Sequence, residues 1–316
     1  MNHPLSTRRS LALNLRHSCD VHGRKTLHAA KVNIMSKYHL LHCIPNPKMH
    51  GLNGYIEVIQ TVKWGLEQLG HQVGYAINNF DPDATNIVFG AQMLPIEMLE
   101  KLPSNTIMYN FEQLRGLDTS QVKKEILHFA RHFKVWDYSE VNTTAWVNYG
   151  NTNLRIVPVG YAPILSRIQK PDNQDIDILI FGLTGKYRLL AFNSLSRAGL
   201  STVFVSGLYG AARDELISRS KIVLNINLYQ HSKIFEIVRV SYLLANRKAV
   251  VAILDPDTFV EEDIQPVVKF TTLEKIVDDC AHLLAHDDER IQLENAGFDC
   301  IAKRDIRDIL KDALED

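Results

Sequence analysis

The sequence predicts two Rossmann-like α/β domains facing each other across a cleft. Apolar runs of strand length alternate with helical periodicity along the chain, the pattern of parallel βαβ units. A proline- and glycine-rich segment, residues 157–163, and a polar stretch, residues 169–174, interrupt that alternation once, as a linker does. A length of 316 residues accommodates two domains of roughly 150 residues each.

The first expected domain covers 37–160. An apolar strand at 38–44 runs into a Pro/Gly/Asn loop at 45–54 and then a helix at 55–69, with Ile56, Ile59, Val62, Leu66 and Leu69 on one face. Gly70 ends that helix, and residues 71–76 resume as a strand. Further strands are expected at 86–89, 106–109, 134–136 and 154–158, with helices at 95–101, 120–132 and 140–149. The second domain, 175–316, repeats the grammar. Its strands are expected at 177–181, 202–205, 222–225 and 249–254, and its helices at 187–198, 211–219, 233–245, 273–285 and 288–314.

Residues 1–36 differ. Arg8, Arg9, Arg16, Arg24, Lys25 and Lys31 stand against one acid, Asp20, with no apolar periodicity and no secretory apolar core. The expectation is a disordered basic extension dispensable for folding and catalysis, with an organellar transit peptide as the alternative. Net charge of −1 argues against affinity built on broad phosphate neutralisation, so no specific nucleic-acid binding is expected. No apolar run approaches the ~20 residues of a membrane span. The four cysteines show neither CxxC spacing nor a metal-ligand cluster and suit reduced thiols of a cytoplasmic protein.

One segment speaks to function. Ser220-Lys221-Ile222-Val223-Leu224-Asn225-Ile226-Asn227 is an apolar strand ending in two asparagines. A polar loop, Tyr229-Gln230-His231-Ser232, leads to Lys233-Ile234-Phe235-Glu236 at a helix start. Ligands of open α/β sheets lie outside the carboxyl ends of strands, where loops and helix N-termini present donors. A glutamate there suits a polyhydroxylated or phosphorylated ligand.

The second half resembles glycosyltransferases of the GT-B architecture, in particular those related to the spore-maturation protein CgeB and, more distantly, the group-1 transferases. The matching segments are 181–190, opening on Phe181-Gly182-Leu183-Thr184-Gly185; Ser206-Gly207-Leu208-Tyr209-Gly210; 218–225; and Lys233-Ile234-Phe235-Glu236. In the first half, 136–142 and 157–161 look like that group's closing segments. The chain departs from the group-1 pattern of two glutamates eight positions apart, because only Glu236 is placed to match. Sugar specificity and stereochemical outcome therefore do not carry over.

The resemblance implies a sugar moving from a nucleotide-sugar donor to an acceptor hydroxyl, with the donor on the second domain and the acceptor on the first. Alternatives are a sugar-nucleotide epimerase and a non-catalytic nucleotide- or partner-binding module. Expected donor-site residues are Gly54, Gly182, Lys186, Arg188, Asn225, Asn227, Lys233, Glu236 and Arg239, with the cations meeting a diphosphate. Arg188 and Glu236 are expected at a solvated cleft edge. Glu112, Asp137 and His231 are the candidate bases, with His50 a further histidine. Asp255-Pro256-Asp257 has DxD spacing but follows the last expected strand, so a metal-independent reaction is expected, with no cofactor beyond the nucleotide-sugar co-substrate.

Overall fold

The computed structural model describes residues 35–46, 50–228 and 233–315, and backbone alone at 50–52. In the first half the order is β1 (Lys37–His42), α1 (Ile56–Gln68), β2 (Gln72–Ile77), β3 (Thr85–Phe89), α2 (Ile96–Leu99), β4 (Ile107–Asn110), α3 (Lys124–His132), β5 (Lys134–Asp137), α4 (Thr143–Asn148) and β6 (Leu154–Ile156). In the second it is β7 (Ile176–Phe181), α5 (Lys186–Arg197), β8 (Thr202–Val205), α6 (Ala211–Arg219), β9 (Ser220–Ile226), α7 (Ile237–Ala245), β10 (Ala249–Ile253), β11 (Lys269–Thr271), α8 (Ile276–Ala285), α9 (Asp287–Ile301) and α10 (Ile306–Leu314).

Each half is built on a wholly parallel sheet, ordered β2-β1-β3-β4-β5-β6 and β11-β10-β9-β7-β8. Parallel strands joined by crossover helices are covered on both faces, which is why β3, β4 and β9 are buried almost throughout. One buried cluster fills the outer face of the first sheet around Leu41, Met108, Phe129 and Trp146. Another fills the corresponding face of the second around Ile178, Ile222, Ala191 and Cys280. A third is continuous through both halves, from Leu40, Ile59 and Trp136 to Val223, Leu244 and Leu310.

The chain end differs from the expected single helix over 288–314. Residues 302–305 break it, and Asp305 caps α10 by accepting the Arg307 N–H at 2.8 Å. Tyr161 of the linker pairs with this break, donating to Arg304 O at 2.7 Å and accepting from Ile306 N at 3.1 Å. The α10 helix then docks on α1 of the first half. Gly65 is the contact that allows it, since a Cβ there would lie 2.7 Å from Leu310 Cδ1. The short edge strand β11 was not expected. Three residues carry no period from which to read it.

Candidate active site

Both sheets change winding direction once, between β1 and β3 and between β7 and β9. A ligand crevice opens at such a switch point, outside the carboxyl ends of the strands. The residues that follow β7 and end β9 include Gly182, Arg188, Asn225 and Asn227. Gly182 has φ +123°, and a Cβ there would lie 2.8 Å from Arg188 Nη1 and 3.1 Å from Arg239 Nη2. Only glycine satisfies both limits.

Arg188 is a correction to the expected solvated cleft edge. It is 1% exposed, because Nε donates to Ile226 O at 2.9 Å and Nη1 to Leu183 O at 2.7 Å. The guanidinium thus ties the loop after β7 to the end of β9. Burial, then the Arg239 charge, presses its pKa down to about 10, so it stays protonated at neutral pH.

Glu236 is the N-cap residue of α7, one position before the helix rather than inside its first turn. Its Oε1 lies 3.7 Å from Arg188 Nη2 and its Oε2 lies 2.8 Å from Arg239 Nη1. Arg239 also donates to Asn225 Oδ1 at 3.3 Å and stacks over Phe181 at 5.4 Å. Two buried atoms of this group, Arg188 Nη2 and Asn225 Nδ2, have no hydrogen-bond partner among the described residues, and Glu236 Oε2 has only its ion pair with Arg239. Buried polar atoms are rarely left so.

A cavity of about 270 Å³ opens beside this cluster, between the two halves. The second half supplies Gly182, Tyr209, Glu236 and Arg239, and the first supplies Gly54, Tyr55, Phe111 and Tyr138. Its floor was not foreseen. Glu57 of α1, 4% exposed, accepts from Arg213 Nη2 of α6 at 2.7 Å. Arg213 also donates to Asp214 Oδ1 at 2.7 Å and lies 4.8 Å over the Tyr242 ring. Burial opposes the Arg213 charge, but Glu57 and Asp214 outweigh it and raise its pKa. In sequence, Glu57, Arg213 and Tyr242 are ordinary helix residues. The one local signal is that Arg213 follows the glycine-flanked segment 206–210 by three positions.

The remaining expected residues divide. Lys186 is exposed at the first position of α5 and does not line the cavity. Lys233 turns away, its Nζ donating to Pro256 O at 3.1 Å. Its backbone is held from the first half, where Gln113 Oε1 accepts from Lys233 N at 2.8 Å and Ile234 N at 2.9 Å. Asn227 lines a second cavity with Asp255, its Oδ1 buried without a partner among the described residues. Glu112 flanks the first cavity without lining it, its Oε1 accepting from Gln92 Nε2 at 2.7 Å.

Asp137 does not point into the cleft as expected. It is fully buried, accepting from Trp146 Nε1 at 2.6 Å, Asn110 Nδ2 at 2.8 Å, Ser139 N at 2.8 Å and Asn142 Nδ2 at 3.1 Å. Burial raises its pKa to about 6 against those donors. A carboxylate so enclosed holds the ends of β4 and β5 together and has no access to a substrate proton. His231 and the basic segment at 1–34 lie outside the described residues, and so does the side chain of His50.

No family profile matches the chain, and no curated protein does. Solved structures do. HepE from Anabaena, crystallised with UDP and glucose, aligns with a TM-score of 0.60 at 10% identity, covering 89% of this chain and 99% of its own. AviGT4, a glycosyltransferase involved in avilamycin A biosynthesis, aligns at 0.53 and 14% identity over 88% and 96%. WaaG, a glycosyltransferase involved in lipopolysaccharide biosynthesis, aligns at 0.52 and 10% over 88% and 98%. The fold is GT-B. In this GT-B chain the cavity occupies the interval between the two sheets, and no helix among the described residues is long and apolar enough to cross a membrane.

Proposed function

We propose that the chain is a glycosyltransferase of the CgeB-like kind, moving a sugar from a nucleotide-sugar donor to an acceptor hydroxyl. The observation that carries this reading is a set of under-satisfied buried polar atoms at the switch point of the second sheet: Arg188 Nη2 and Asn225 Nδ2 make no hydrogen bond among the described residues, and the Glu236 carboxylate is held only by its ion pairs to Arg239 and Arg188. Two donors and one acceptor match a diphosphate oxygen pair and a ribose or sugar hydroxyl. Arg239, within reach of Glu236 and Asn225, adds a second cation.

In the transfer, the acceptor oxygen bonds to the anomeric carbon as that carbon's bond to the diphosphate oxygen breaks, and the hydroxyl proton passes to a general base on the acceptor side. The electron pair leaves on the diphosphate, where Arg239, which lines the cavity, stabilises it without a metal while Arg188 behind it holds the loop after β7 in place. The acceptor enters from the side of Gly54, Tyr55, Phe111 and Tyr138. Among the described candidate bases, Glu112 is flanked in sequence by the lining residues Phe111 and Gln113, whereas Asp137 is fully enclosed. HepE was crystallised with UDP-glucose, so UDP-sugars are the first donors to test. The three described cysteines are free thiols, which suits a cytoplasmic enzyme.

The test is incubation with a panel of nucleotide sugars, reading nucleotide released with and without acceptors. Acceptor-dependent release supports a transferase, and an altered sugar nucleotide without release supports an epimerase. Binding without either supports a non-catalytic module.

A further inference from the structure

Away from the cleft, the end of α8 and the first turn of α9 bring three ligand-type side chains together. His282, His286 and Glu289 are all exposed, and one ligand atom from each lies within 4.8 Å of the others. They are the one such group of three among the described residues. None of them lines either cavity.

The geometry prepares a metal site. His286 Nδ1 lies 2.8 Å from the His282 carbonyl oxygen. A carbonyl only accepts, so Nδ1 carries the proton and Nε2 presents its lone pair outward. Metal-bound histidines have this arrangement, the second ring nitrogen being held by a carbonyl or carboxylate that fixes tautomer and orientation. His282 Nε2 faces Glu289 Oε2 at 2.8 Å. Two ligand atoms about 2.0–2.2 Å from a tetrahedral zinc ion are roughly 3.3–3.5 Å apart. Opening the His282–Glu289 contact by about half an ångström admits an ion between them, with His286 beside it as the third ligand and the fourth position left to water. The His282 and His286 rings already stack, with centroids 4.1 Å apart.

We propose that His282, His286 and Glu289 form a surface site for one divalent transition-metal ion, zinc-type by its two imidazoles and one carboxylate. The ion replaces the proton that His282 shares with Glu289 and ties α8 to α9 across their bend. The chain supplies a built-in comparison in His128 and His132, which stack with centroids 4.3 Å apart on α3 but have no third ligand-type side chain in reach among the described residues.

The experiment is calorimetric titration of the full-length, tag-free protein with zinc, repeated with magnesium, alongside thermal unfolding. The expected result is one zinc per chain and a raised melting temperature, with no response to magnesium. Zinc binding should weaken at least about tenfold in His282→Ala, His286→Ala and Glu289→Gln and stay unchanged in His128→Ala. Equal zinc affinity in wild type and the His282→Ala/His286→Ala double variant overturns the proposal. So does the absence of zinc binding by wild type.

Discussion

Replacing Arg188 with alanine separates the buried account of this residue from a surface one. Its Nε and Nη1 reach two carbonyl oxygens, of Ile226 and Leu183, at 2.9 and 2.7 Å inside a site 1% exposed. Hydrogen bonds from a charged donor contribute roughly 1.5–3 kcal/mol each, and the truncation leaves both carbonyls dry and unmet. The expected loss is about 3–5 kcal/mol, the range for removing one member of a buried charged group. With a urea slope of about 2–3 kcal/mol per M, the unfolding midpoint falls by about 1–2.5 M. Arg188→Lys keeps the charge but not the planar fork, so it meets one carbonyl and falls between the two. A wild-type urea midpoint in Arg188→Ala would refute the assignment of this residue to the scaffold of the site.

Other expectations follow from the same geometry. Glu236→Gln, at a position 20% exposed, should leave the urea midpoint near wild type and weaken nucleotide-sugar binding roughly ten- to hundredfold by calorimetry. Unchanged affinity removes Glu236 from the site. Gly182→Ala should lower both stability and donor affinity, because the new Cβ meets two guanidinium groups; a variant with wild-type values contradicts the packing described. Gln113→Ala releases the backbone of Lys233 and Ile234, so amide hydrogen exchange should accelerate there, and unchanged exchange would mean that the amide holds nothing. For Asp137, burial raises the folded pKa to about 6, above its unfolded value. The folded state therefore keeps its proton longer, and the stability this contributes is present below about pH 4 and lost as pH rises through about 6. Measured against Asp137→Asn, wild type should lose relative stability over that interval, and parallel curves would refute it.

The fold was legible where one strand or helix decides its own character. The apolar run at 222–225 and the helical period at 55–69 appear as β9 and α1 with small shifts at their ends. Two glycines read as turns, Gly182 and Gly54, line the cavity from opposite halves. What escaped is what two distant segments decide together. Arg188 looks like a surface cation until the ends of β7 and β9 place carbonyls around it. Asp137 looks like a cleft acid until Asn110, Asn142 and Trp146 enclose it. Glu57 and Arg213 are 156 positions apart and meet only when the halves do. The break before α10 was hidden because Ile306, Leu310 and Ala313 continue an apolar stripe, and its cause lies in Tyr161 of the linker.

The proposed donor site lies where β7 and β9 end, with Arg239 facing the diphosphate and Glu236 facing a ribose or sugar hydroxyl. The decisive measurement is calorimetric titration of wild type and Glu236→Gln with nucleoside diphosphates and their sugar conjugates, beginning with UDP and UDP-glucose. At least one sugar conjugate should bind wild type at a single site and bind Glu236→Gln at least about tenfold more weakly. Failure of every nucleotide and conjugate to bind wild type, or equal affinity in the two proteins, would contradict it.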